Sequence, residues 1–271
     1  MKKELSLIIA GFSLLCICSC DKPLEQIKPE PSPCLSYLSS VKSVNDVFLT
    51  FLFYNPEDLT APGQYENISI SVIPLYPVDS FPKIITISFD TAGVLCPDNA
   101  VRKGSIICRL NSKWNHHPSK ADITFNRFFI DDVQTEGLYS FQSEIKGDSL
   151  FFSYQVINGK TVLSNNDSVT FNLSCQIFPL ASGDLRSLNP FAWYTSGIHE
   201  FSGKDFKNRP FSVTVGTPLF FDNNCHNGEI TEGEIIVMPD ETGDYTVSFG
   251  SGECDGKMII TFNGQTFPVS F

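Results

Sequence analysis

The sequence predicts an all-β protein: two antiparallel β units with sandwich-like packing, tied by disulfides and carried behind a flexible, lipidated N-terminal tether. Three observations predict it. Apolar and polar residues alternate with a period of two in several short runs, Asn-Gly pairs separate adjoining runs, and the cysteines left after N-terminal processing are even in number. Successive strand side chains point to opposite faces, so each alternating run offers one face to a core and one to water.

The N-terminus carries the clearest motif. Lys2 and Lys3 form a basic start, and Leu5 to Leu15 form an apolar stretch of the roughly 7–15 residues expected of a secretory signal, too short for the roughly 20 that span a bilayer. Ile17, Cys18 and Ser19 precede Cys20, with a small residue directly before the cysteine. This resembles the lipobox of bacterial lipoproteins. The resemblance implies a signal peptide over 1–19, a diacylglyceryl group on the Cys20 thiol and a further acyl chain, such as palmitate, on its freed amine. More than one chain is needed for stable membrane anchoring, and a triacylated Cys20 meets that need. Residues 20–34 form the tether: Pro23, Pro29, Pro31 and Pro33 alternate with charged residues, a composition that cannot bury enough surface to offset its ordering entropy.

Composition limits the possible partners. The chain of 271 residues carries a net charge of −11, and loss of 1–19, with Lys2, Lys3 and Glu4, leaves −12. Such a body repels phosphate backbones, so nucleic acid is not an expected partner. It also lacks a basic face for anionic headgroups, which leaves the membrane link to the lipid. Of nine cysteines, Cys16 and Cys18 leave with the signal and Cys20 is acylated. Cys34, Cys96, Cys108, Cys175, Cys225 and Cys254 remain, an even set that in an oxidising envelope reads as up to three disulfides. Cys225 with Cys254 is the leading pair, since both lie near turns of the C-terminal unit. No Cys-x-x-Cys pair argues for zinc or redox chemistry, and no cofactor is expected.

Ile85, Ile87 and Phe89 alternate with Thr86, Ser88 and Asp90; Phe211, Val213 and Val215 repeat the pattern, as do Tyr245, Val247 and Phe249. Asn158-Gly159 and Asn263-Gly264 each lie between two such runs and suit the positive backbone angles of a type I′ turn, so two hairpins are expected there. Long amphipathic helices are not expected, and Leu35 to Val44 could form only a short one. Residues 85–110 and 245–260 form a weak internal repeat of strand, Gly-containing turn, Cys and Asp, basic residue and strand. Pro179, Ser182, Gly183 and Pro190 break the pattern, which divides the body into units at 35–185 and 186–271.

Within that repeat, Phe249-Gly250-Ser251-Gly252-Glu253-Cys254-Asp255-Gly256-Lys257 is followed by Asn263-Gly264-Gln265-Thr266, and Val215-Gly216-Thr217-Pro218-Leu219 precedes Cys225. These residues resemble a group of uncharacterised cell-envelope lipoproteins from Bacteroidota. The resemblance implies a class and a location, the outer membrane on its periplasmic or surface face, and carries no activity.

Candidate sites are few. Asp222 to Glu229 is a dense polar cluster, but its spacing misses both the glycine and the bidentate glutamate of a calcium loop. His199, Glu200 and His226 beside Cys225 suggest zinc or a Cys/His nucleophile only if that cysteine is unbridged. His116 and His117, adjacent on an extended chain, point apart and make poor chelators. Asp131-Asp132 reads as a solvated turn rather than a glycosidase pair, which needs two carboxyl groups facing across a cleft. No catalytic residue and no metal ligand is expected. Trp114, Phe191, Trp193 and Tyr194 are the candidate recognition surface, because flat rings stack on sugars or grip peptides. The expected role is thus non-enzymatic binding of a glycan, peptide or envelope protein through the loops; the alternatives are an assembly component docking through a strand edge, and then a hydrolase.

Overall fold

The computed structural model describes residues 30–55, 67–75, 80–96, 98–179, 192–222, 225, 229–240 and 242–271. One helix, α1 (Ser32–Tyr54), precedes thirteen strands. They are β1 (Ile68–Ile73), β2 (Lys83–Leu95), β3 (Val101–Leu110), β4 (Ser119–Ile130), β5 (Val133–Lys146), β6 (Ser149–Val162), β7 (Ser168–Pro179), β8 (Ala192–Lys204), β9 (Pro210–Asp222), β10 (Glu229–Pro239), β11 (Tyr245–Ser251), β12 (Lys257–Phe262) and β13 (Gln265–Ser270). The fold is mostly antiparallel β with sandwich-like packing, as the alternation predicts. All thirteen strands pair in sequence order within one sheet. Pairing continues between β7 and β8, so the ladder is unbroken where the sequence suggests two units.

The long helix is the main departure from the sequence expectation. Pro33 occupies the first turn, where a missing N–H costs nothing, and the helix takes in Ser32 and Cys34, which the sequence assigns to the tether. Burial extends over more than half of its circumference, with Cys34, Tyr37, Phe48 and Phe51 fully enclosed and only Phe53 exposed. A flat sheet covers one face of a helix, so the sheet must curve around it. Contacts step along the meander as α1 crosses it. Tyr54 meets Phe89 of β2 edge-on, Arg102 of β3 donates to Thr50 Oγ1 at 2.8 Å, and Ser43 Oγ lies 3.0 Å from Thr135 Oγ1 of β5. Tyr37 packs on Phe201 of β8, and Tyr245 of β11 donates to the Glu30 carbonyl. Phe48 sits at the centre, its ring within 6.4 Å of those of Trp114, Phe141, Phe152, Tyr154 and Trp193.

Of the two expected hairpins, Asn263-Gly264 turns β12 into β13, with Phe262 opposite Gln265. Asn158-Gly159 does not turn. Both residues lie inside the fourteen-residue β6, where Asn158 takes φ 50° and the register slips against β5 and against β7. The positive φ that suits a type I′ turn here serves a β-bulge, fixed by the Asn158 N–H donating to Asn172 Oδ1 of β7. The turn into β6 is made instead at 147–148.

The set of three disulfides reduces to one among the described residues. Cys225 and Cys254 are joined, tying the β9–β10 connection to the β11–β12 turn. Cys34, Cys96, Cys108 and Cys175 form no disulfide among the described residues and are buried in the core, where they act as small apolar side chains.

Candidate functional site

Strand alternation places the aromatic residues. On β6, Leu150, Phe152 and Tyr154 point inward, which turns Phe151 outward; on β7, Ile177 is buried and Phe178 faces out. On β8, Trp193 is buried and its neighbour Tyr194 faces out; on β9, Leu219 and Phe221 are buried and Phe220 faces out. Register then aligns these outward residues. Phe178 is opposite Tyr194, Tyr194 is opposite Phe220, and the Phe151 ring lies 5.5 Å from that of Phe178. Tyr194 and Phe220 stack at 4.7 Å with their planes 29° apart. Four rings therefore cross four consecutive strands in one row, spanning about 14 Å at the roughly 4.8 Å spacing of paired strands.

The row departs from its surroundings. Two residues further along the same outer face stand Ser153 and Gln176; the outward positions beyond include Ser174, Glu200, Thr214, Ser202 and Ser212, with Ile157 exposed further along β6. A carboxylate stands at each end, since Glu144 of β5 is opposite Phe151 and Glu232 of β10 is opposite Phe220. At the first end the cation is already supplied: Lys146 pairs with Glu144 at 2.7 Å and lies 5.6 Å from the Phe151 ring centre. At the other end, Glu232 and Glu234 make no ion pair among the described residues.

Gly233 separates the two glutamates in β10. It takes φ +106° within a run of register shifts in β10, and a Cβ there would collide with the Pro218 carbonyl. A cleft lies beside this irregular stretch of β10. That cleft has a volume of about 740 Å³ and is lined by Phe151, Phe178, Tyr194, Thr217, Glu232 and Glu234, among others. Its size falls within the range of small-ligand sites.

The sequence candidates fall in different places. Cys20 and Phe191 lie outside the described residues. Trp114 and Trp193 are 5% and 2% exposed, so neither indole is part of an exposed recognition surface. Each packs on Phe48, and Trp114 also stacks on Phe152 and Trp193 on Phe221; in the Trp193-Tyr194 pair consecutive strand residues face opposite ways, and the bulkier ring fills the core. Of the three that are described, Tyr194 alone is placed in the row. Phe151, Phe178 and Phe220 were missed; the signal for them is an aromatic residue at an outward position next to an inward one, visible as Phe-Phe at 151–152 and 220–221.

Among the described residues, the other chemical groups form no competing centre. The Cys225–Cys254 disulfide leaves no thiolate for the metal cluster that Asp222 would otherwise complete, and no other such cluster occurs among the described residues. Asp131 and Asp132 form the β4–β5 turn, accepting from the Val101 N–H and from Lys103. His117 Nδ1 bonds Ser143 Oγ at 2.8 Å. His199 meets Cys175 across paired strands, with Nδ1 3.3 Å from Sγ, and its Nε2 lies 2.9 Å from Tyr37 Oη. Burial pushes the Cys175 thiol up to about 12 and the His199 imidazole down to about 4, so both are neutral near pH 7. This dyad is a structural contact rather than a nucleophile, since the attacking species would be the thiolate.

Among the described residues no helix is long and apolar enough to cross a membrane. No protein-family model matches the chain, and neither curated proteins nor solved structures include a significant match to it.

Proposed function

We propose that the chain is a lipid-anchored cell-envelope protein that binds a ligand through the outer aromatic row without transforming it. The supporting observation is the row itself: four half-buried rings from four consecutive strands, aligned on the outer side of the sheet beside a cleft. Aligned aromatic rings on the outer side of a sheet, next to a cleft, are the mark of a recognition surface. The anchor rests on the lipobox-like run ending at Cys20, and the acidic composition keeps the body away from anionic headgroups, leaving the cleft free to face solvent.

Two other readings have less support. Docking through a strand edge would use β1 or β13, each six residues long, and Pro268 removes a donor from β13. Hydrolysis would need carboxyl groups on opposite sides of a scissile bond, whereas Glu232 and Glu234 rise from one strand at one end of the row.

The test is a screen of glycan and host-protein arrays with the full-length protein and with Tyr194→Ser/Phe220→Ser. A ligand retained by the wild type and lost by the double variant is expected. A ligand held equally by both would place binding elsewhere. Labelling with palmitate in cells, against Cys20→Ser, tests the anchor separately.

A further inference from the structure

Taking the cleft as the ligand site, we infer that its ligand is a linear, uncharged oligosaccharide lying across the strands along the row Phe151, Phe178, Tyr194 and Phe220. Three features select this class. The first is shape. A row of about 14 Å made of separate flat rings matches a chain of repeating rings, each with an apolar face, and it runs perpendicular to the strands.

The second is hydrogen bonding. A peptide recognised in extended form draws on free backbone N–H and C=O groups, as at a sheet edge. Here the row lies on interior strands β6 to β9, each paired on both sides, so the backbone is already engaged. What remains is side-chain chemistry: the Glu232 and Glu234 carboxylates as acceptors and the Thr217 and Ser248 hydroxyls as donors and acceptors, all lining the cleft. Hydroxyl-rich ligands supply the donors that a carboxylate needs. Thr195 is withdrawn from this set, because its Oγ1 accepts from the Leu219 N–H at 2.8 Å.

The third is charge. Two glutamates that make no ion pair among the described residues, in a chain of net charge −11, repel uronic acids and sulfated sugars. The cationic position over Phe151 is already filled by Lys146. A neutral sugar chain fits both ends.

The experiment is isothermal titration of the full-length protein in detergent with glucose, galactose, mannose and N-acetylglucosamine oligomers, each from one to six units. For at least one series, binding is expected to be undetectable for the monomer, to tighten about tenfold or more between two and four units, and to level off beyond. Tyr194→Ser is expected to weaken the tetramer about tenfold, and Glu232→Gln, which keeps shape and leaves the core untouched, severalfold. Binding that is indifferent to chain length, or no binding of any oligomer, overturns the inferred class. Should a lysine-rich peptide bind instead and be lost in Tyr194→Ser, the class fails while the cleft remains the site. If oligosaccharide binding survives Tyr194→Ser/Phe220→Ser, the cleft reading itself fails.

Discussion

Acid should unfold this protein partly through one buried imidazole. His199 lies between Cys175 and Tyr37, and its only charged form, the imidazolium, is disfavoured by burial, which holds its pKa near 4. The unfolded chain holds the same group near its ordinary 6.5. Because the folded value is the lower one, the unfolded state binds the extra proton first, and stability falls as pH drops below 6.5 until the folded form also titrates near 4. Each unit of difference corresponds to about 1.4 kcal/mol, so the loss is about 1 kcal/mol by pH 5.5 and about 3 kcal/mol by pH 4. Carboxylates titrate in the same window, and a variant removes them from the comparison. Urea unfolding of the wild type and of His199→Gln should be measured at pH 7.5, 5.5 and 4.0. The gap in unfolding free energy between the two is expected to shift by about 3 kcal/mol in favour of the variant across that range. A gap that stays constant with pH would refute the buried neutral imidazole.

Other perturbations test the fold. Phe48→Ala empties the centre of the aromatic cluster that joins α1 to the sheet and is expected to cost about 3–5 kcal/mol in urea unfolding. Arg102, fully buried, forks onto Asp98 at 2.7 and 2.6 Å and reaches Thr50, so Arg102→Ala should cost about 3–5 kcal/mol by the same assay. Replacing both Cys225 and Cys254 by serine opens a loop with a separation of 29 residues and should cost about 3–4 kcal/mol, read as a lower urea midpoint that reductant reproduces in the wild type. Gly233→Ala forces a Cβ against the Pro218 carbonyl and should lower both the thermal midpoint and ligand affinity.

Legibility in the sequence followed local physics. The alternation at 85–89, 211–215 and 245–249 marks β2, β9 and β11 because a half-buried strand repeats every two residues. The helix escaped that reading. Val47-Phe48-Leu49-Thr50-Phe51-Leu52-Phe53-Tyr54 is an apolar run interrupted only by Thr50 and rich in β-branched and aromatic residues, and burial around much of α1 removes the polar stripe that marks a surface helix. Asn158-Gly159 showed where φ turns positive but not whether the chain reverses there, since a bulge and a type I′ turn need the same residues.

The candidate site was half legible for a related reason. Trp193 and Tyr194 are neighbours, and alternation allows only one of them to face solvent; size favours the indole for the core. Which outward residues meet is a matter of register, and the pairing of Phe178 with Tyr194 spans a connection whose length alone does not set it. The Cys175–His199 contact was hidden in the same way, with His199 instead grouped with its sequence neighbour Glu200, which points to the other face.

The most direct measurement is an NMR titration of the full-length protein, selectively carbon-13 labelled at phenylalanine and tyrosine rings, with the tightest-binding oligomer from the length series. With the ligand seated along the row, the ring signals of Phe151, Phe178, Tyr194 and Phe220 are expected to shift together on one saturation curve, while those of core rings such as Phe48 and Phe141 stay in place. Shifts confined to other rings, or none in the row at saturation, would contradict binding there.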